Sequence, residues 1–383
     1  MQYLRLAAVA GLIAAAQATP YGLSGFMPVA GGLQVAPVAG GQASGGSAMS
    51  SRGLTEVDGI RVGQHTLAAR PTGCTVILVE GDGAVGGVSQ RGAAPGTRET
   101  DLLDPLNLVD RVNAIVLSGG SAYGLEAAHG VVRYLEERNV GWKVGAAGVV
   151  PIVPSAILFD LGFGGDPAIR PTAECGYRAA ESAGTGPVQE GNVGAGAGAT
   201  IGKSAGRERA MKGGLGSAAI RLPNGLVVGA IAAVNAIGDV IDPSTGAVVA
   251  GVRAADGRTL ADARTLLRDG SLMRSTLPRP PENSTIAVVA TNARLTKVEA
   301  SRMALMADDG LTRAITPAHT IGDGDTVFSL ATGRWNGEVD ASIVGALAAE
   351  ALAEAIVRAA AQAESLGGLP SARELGTGPA RLK

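Results

Sequence analysis

A serine stands at the head of an apolar run in Asn283-Ser284-Thr285-Ile286-Ala287-Val288-Val289-Ala290-Thr291-Asn292, directly after the turn-forming pair Pro281-Glu282. The β-branched run reads as a buried strand over residues 285–291. A cut between Asn283 and Ser284 would create a residue holding its nucleophile and its base together, because the freed α-amine lies beside its own hydroxyl. An unperturbed α-amine titrates at about 7.7–8.0, so it can accept a proton close to neutral pH. The chain offers few other bases. His65, His129 and His319 are isolated from one another and from the two cysteines, with no metal-ligand spacing. His129 reads as a structural helix residue and His319, four before Asp323, as a loop cap. These features predict a self-cleaving hydrolase that needs no cofactor or metal.

Other patterns fit less well. Gly81-Asp82-Gly83-Ala84-Val85-Gly86 matches a dinucleotide fingerprint, but the residues after it cannot open the helix that a pyrophosphate requires. Residues 197–204 resemble a phosphate loop without its first glycine, and Gly202–Gly206 matches the nucleophile-elbow pattern in a stretch that reads as a loop. A formal net charge of −2 gives no footprint for nucleic acid or an anionic membrane. Taken singly, Asn235 could cap a turn, Lys203 could be a solvated loop lysine, and Asp323 and Asp325 could be ordinary turn aspartates.

The elements that must position these residues are short and small-sided. Aromatics are 3% of the chain and glycines number 58, so the core has to be aliphatic and closely approached. Strands are expected at Cys74–Glu80, Asn113–Ser118 and Thr285–Thr291, with one bent strand or two over Leu226–Ile241. Helices are expected at Tyr123–Arg138, Thr172–Ala183, Leu295–Asp308 and Asp340–Ser365; the first should bury Leu125, Ala128, Val132 and Leu135. Strands without strict strand–helix alternation favour stacked sheets flanked by helices.

Residues 1–18 read as an export signal: Arg5, an apolar run from Leu6 to Ala16, then the small-x-small site Ala16-Gln17-Ala18. A periplasmic or secreted location follows as an expectation, with no membrane insertion once the signal is removed. Residues 19–52 read as a flexible Gly/Ala/Ser-rich linker, 53–368 as one hydrolase domain and 369–383 as a disordered tail. Cys74 and Cys175 could pair in an oxidising compartment, but they are read as two buried free thiols.

The stretch NSTIAVVATNA at 283–293 resembles the processing site of the L-aminopeptidase/D-esterase family, which includes β-aminopeptidases and endo-type nylon-oligomer hydrolases. The resemblance extends to GGSAYGLEAAHGV (119–131), VVPIVPSAILFDLG (149–162), GAGAGATIGK (194–203), AAVNAIGDVIDP (232–243) and DGLTRAITPAHTIGDGDTVFSLATG (309–333), covering about residues 54–333 in order. It is closer to the nylon-oligomer branch, except that Ser284 stands where those enzymes have Thr. The resemblance implies a four-layer αββα sandwich of α/β class, autocleavage between Asn283 and Ser284, and an acyl-enzyme on Ser284. It also implies Asn235 as the oxyanion-hole amide, Lys203 near the nucleophile, and Asp323 with Asp325 holding the new N-terminus. The implied partners are short peptides or small amides and esters, together with further copies of the processed heterodimer.

Overall fold

The computed structural model describes residues 48–49, 52–274 and 283–382; the expected signal (1–18), most of the expected linker and residues 275–282 lie outside them. Its helices are α1 (Ala127–Glu136), α2 (Ala173–Glu181), α3 (Ala263–Arg268), α4 (Lys297–Ala314), α5 (Ala341–Ala361) and α6 (Ala372–Leu375). None of the described helices is long and apolar enough to cross a membrane. Local chemistry sets where the two long helices begin. At α4, Thr296 and Glu299 form a reciprocal capping box, and at α5 the Asp340 carboxylate accepts from the amides of Ser342 and Ile343.

Two sheets stack face to face. The seven-stranded sheet runs Ala48–Met49, Gly214–Arg221, Val227–Asn235, Ser284–Thr291, Thr326–Ala331, Ala84–Gln90, Arg111–Val112. The five-stranded sheet runs Ile60–Thr66, Gly73–Val79, Ala114–Ser118, Ser155–Ile157, Thr97–Arg98. Alternate residues of each strand face opposite sides. In Ser284–Thr291, Ala287 and Val289 meet the Ala-rich faces of α4 and α5, whereas Ile286, Val288 and Ala290 pack against Ile77, Ile115 and Leu117 of the other sheet. A third core lies between the five-stranded sheet and α1/α2, with Val76, Val116, Ala128 and Ala179. Helices, sheet, sheet, helices: this is the four-layer αββα sandwich.

The shortage of aromatics is explained by how closely the layers approach. A Cβ at Gly216 would lie 2.2 Å from the Ala355 carbonyl of α5, and within the helical layer one at Gly310 of α4 would lie 2.0 Å from the Ala349 carbonyl of α5. Larger residues would force the layers apart, at about 1–3 kcal/mol per overpacked site.

Of the one bent strand or two expected over 226–241, the chain forms two, Val227–Asn235 and Asp239–Ile241, which leaves Asn235 at a strand end. Several other expectations change. The chain enters α1 through a tighter three-residue-per-turn helix at Ser121–Glu126. That offset moves the buried face to Ala127, Ala128, Val131, Tyr134 and Leu135, leaving Leu125 and Val132 only partly buried. Cys74 and Cys175 are not free thiols but a disulfide, with Cα atoms 6.2 Å apart. The reason is that α2 packs on the outer face of the Gly73–Val79 strand, a contact that a sequence separation of 101 residues conceals. The segment expected as a linker contributes an edge strand, Ala48 and Met49 pairing with Arg221 and Ile220. The expected disordered tail is folded onto the body through residue 382. Ser371 caps α6, Ala372 is fully buried, Pro370 O accepts from the Lys212 amide, and Arg381 pairs with Asp242 and Glu354. An element of four residues is too short to show periodicity, so the tail's order came from contacts alone.

Candidate active site

The site forms where the central strand begins. Strand register places Asn235 directly opposite Ser284, and both belong to the set of residues that faces the other sheet. Ser284 is 4% exposed and Asn235 fully buried. The Ser284 hydroxyl donates to Asn283 O at 2.5 Å, and the Gly324 amide donates to the same oxygen at 2.8 Å. The Asn283–Ser284 carbonyl is thus held by two donors.

Asn235 is oriented by its neighbours. Its Oδ1 accepts from Lys203 Nζ at 2.8 Å and from the Thr200 amide at 3.0 Å, and its Nδ2 donates to Phe159 O at 3.0 Å. Lys203 Nζ also donates to Asn235 O at 3.1 Å. Lys203 is therefore a buried lysine at the site rather than a solvated loop residue. Its ammonium faces an amide oxygen, which leaves the donor end of the side chain pointing the other way.

The acidic pair sits on the opposite side of Asn283. Asp323 forms an isolated parallel bridge with Asn283, and its Oδ2 accepts from the Thr320 amide and hydroxyl at 2.8 and 2.7 Å. Asp325 Oδ1 accepts from the Thr285 amide at 2.7 Å. Burial, and next the charge of Asp325, push Asp323 up to about 6. One side of this site is a backbone wall: the Ala94 amide donates to Asp323 O at 2.9 Å and the Gly92 amide to Asp325 O at 3.3 Å.

All six candidate residues, Lys203, Asn235, Asn283, Ser284, Asp323 and Asp325, are linked by these contacts. Two neighbours were not legible as site residues. Gly324 gives no sequence signal because a glycine between two aspartates reads as a turn; a Cβ there would lie 2.6 Å from both Ser284 Oγ and Ala94 O, so only glycine fits. His319, expected as a loop cap, instead touches Asp325 and the helix residue Asp308. A cavity of about 220 Å³ next to the site is bounded by Phe159 and Thr200, the partners of Asn235, together with Phe163 and Arg207. A second one, about 840 Å³, lies around Arg253, Arg258 and Glu374 and includes none of the site residues.

Residues 52–373 match the sequence profile of peptidase family S58. The chain belongs to that family. Membership makes it a hydrolase of peptide bonds. An uncharacterized aminopeptidase of Mycobacterium tuberculosis is 43% identical over 350 residues, covering 84% of this chain and 97% of that protein. A 6-aminohexanoate-oligomer endohydrolase of Kocuria sp. strain KY2 is 31% identical over 315 residues, covering 79% and 84%. The β-aminopeptidase of a Burkholderia species superposes with a TM-score of 0.64 at 23% identity, over 87% of this chain and 93% of the other. The L-aminopeptidase D-Ala-esterase/amidase of Ochrobactrum anthropi, described as a variant of the Ntn hydrolase fold, gives 0.62 at 23% identity, over 85% and 90%. These two structures share the fold.

Proposed function

We propose that this S58 peptidase cuts its own chain between Asn283 and Ser284 and then uses Ser284 as an N-terminal nucleophile on short peptides and peptide-like amides. The observation that carries the reading is the Asn283 carbonyl oxygen, bonded at once by the Ser284 hydroxyl and the Gly324 amide. A rotation about χ1 turns Oγ from that oxygen onto the carbonyl carbon. Charge then develops on an oxygen that already has a backbone donor, the arrangement that lowers the barrier of acyl transfer. The C–N bond breaks as nitrogen takes a proton and leaves as the Ser284 amine. Water hydrolyses the resulting ester to the Asn283 carboxylate, restoring the hydroxyl.

In the mature enzyme the Ser284 amine accepts the hydroxyl proton as Oγ attacks a substrate carbonyl, then gives it to the departing amine. Asn235 supplies the neutral amide donor for the tetrahedral oxyanion, with Lys203 fixing which end of that amide points at the substrate. Asp323 and Asp325 orient the new ammonium. Removal of N-terminal residues from short peptides is the preferred activity, supported by the 43% identity to a protein named aminopeptidase. The second reading, endo-cleavage of amide oligomers, is favoured by the Asp323/Asp325 pair and the 31% identity to an oligomer endohydrolase. Residues 1–18 and the Cys74–Cys175 disulfide both support work in an oxidising, extracytoplasmic compartment. Processed heterodimers are proposed to assemble further.

The test is a denaturing gel followed by N-terminal sequencing. A fragment beginning Ser284-Thr285-Ile286, absent from Ser284→Ala, is expected; a single intact chain in active protein would refute the reading. Aminoacyl p-nitroanilides set against 6-aminohexanoate oligomers then separate exo- from endo-cleavage.

A further inference from the structure

His319 has no part in the steps above, yet it is built into the site more tightly than a surface loop requires. Its backbone takes φ 55°, the left-handed region that a side chain other than glycine adopts only when its surroundings hold it there. Its amide and Nδ1 both lie on the same oxygen, Asp325 Oδ2, at 3.1 and 3.0 Å. Its Nε2 lies 3.3 Å from Asp308 Oδ1, an ion-pair distance without hydrogen-bond alignment. Asp308 is 1% exposed on α4 and is itself anchored, its Oδ2 accepting from the Ser89 hydroxyl at 2.7 Å and meeting Arg91 Nε at 3.4 Å. A continuous line runs from Arg91 through Asp308, His319 and Asp325 to the Thr285 amide, one residue past the nucleophile.

We propose that His319 is a positioning residue for the Ser284 centre: its ring, gripped between Asp308 and Asp325, holds the Asp325 carboxylate aimed at the Thr285 amide. This rests on the nucleophile reading of Ser284. The electrostatics agree with the geometry. Burial works against a charged His319, but the two carboxylates prevail and push it up to about 9. The charged groups around this line are Asp308 and Asp309 on α4, Arg91 bridging them, Asp325 and Asp323 on the loop before their strand, and Lys203, which favours the ionised form of Asp323. Arg91 is partly solvated, so within this set His319 is the cation in direct contact with Asp325.

The experiment is the pH profile of processing and of kcat/KM on an aminoacyl p-nitroanilide for the full wild-type chain, His319→Gln and Asp308→Asn. His319 is the group that titrates at about 9, so the alkaline limb it sets is absent from His319→Gln. In Asp308→Asn the imidazolium loses one of its two carboxylates and deprotonates sooner, so the alkaline limb moves down. If His319→Gln does not fold, Asp308→Asn carries the test alone through its alkaline limb. A uniform fall in rate with the alkaline limb unmoved would make His319 merely structural and overturn the inference. A processed, active wild type with unmoved limbs in the variants removes this inference alone; an unprocessed, inactive wild type removes the nucleophile reading with it.

Discussion

The central strand Ser284–Thr291 has buried polar residues at both ends, and the two ends solve the problem of burying them in different ways. At its tail, Thr291 Oγ1 donates to Val227 O at 2.9 Å, while Asn292 Oδ1 accepts from the Val227 amide and Nδ2 donates to Gly225 O. Those partners are backbone groups of the neighbouring hairpin, supplied by one stretch of chain. At its head the partners come from separate segments: Asn235, itself bonded by Lys203, lies opposite Ser284, while the 323–325 turn meets Asn283 through Asp323 and Gly324 and the Thr285 amide through Asp325. Here Asn283 Oδ1 and Thr285 Oγ1 have no hydrogen-bond partner among the described residues, and an aspartate is held near the middle of the pH range. Unsatisfied and charged groups cost stability where they are buried. The tail satisfies every polar group it buries, whereas the head leaves buried polar atoms unpaired where the candidate site lies.

The contrast breaks most visibly at Ser284. Ser284→Ala should leave one full-length band and lower turnover by about 10⁴-fold or more, the scale of losing a nucleophile, without lowering the melting temperature. Loss of the Cys74–Cys175 bond in the outer helical layer should do the reverse. Substituting both cysteines by Ala should cost about 2–5 kcal/mol in denaturant unfolding, yet the folded fraction should still process. Gly324→Ala brings a Cβ within 2.6 Å of Ser284 Oγ and displaces the donor to Asn283 O. Processing followed on gels should slow by about 10²–10³-fold, the usual loss for an oxyanion donor. At the tail, Asn292→Ala should cost about 1–3 kcal/mol of stability while leaving the cleavage rate unchanged; a slowed cleavage would erase the distinction between the ends.

The smallest effect is a pH-dependent one at the head. His319 is raised in the folded state to about 9 from its ordinary 6.5. Its stabilisation is therefore fully present below about 6.5 and is lost as pH rises through about 9. Melting temperatures of Ser284→Ala and of Ser284→Ala with His319→Gln should differ most near pH 6 and converge above pH 9. A constant gap would show that the ring contributes packing instead of charge.

Legibility followed how local each signal was. The strand 285–291 could be read because an unbroken β-branched run has few other fates, and α5 because its apolar spacing persists over 21 residues. Gly214–Arg221 and Ala84–Gln90 were harder to see, since glycines in a strand weaken the pattern even where they let α4 and α5 approach. The acidic pair, Asn235 and Lys203 became site residues through family resemblance; singly, each looked like a turn or surface residue.

The residue types alone determined the small-sided α/β core, the serine poised on a strand boundary and the scarcity of histidine bases. Tertiary structure decided what those residues meet. It put Asn235 opposite Ser284 by strand register, brought the Gly324 amide onto the Asn283 carbonyl, set His319 between two aspartates and closed Cys74 on Cys175. Periodicity reports which side of its own element a residue faces. Which group from elsewhere in the chain arrives there depends on how the layers stack, and that is a property of the whole fold.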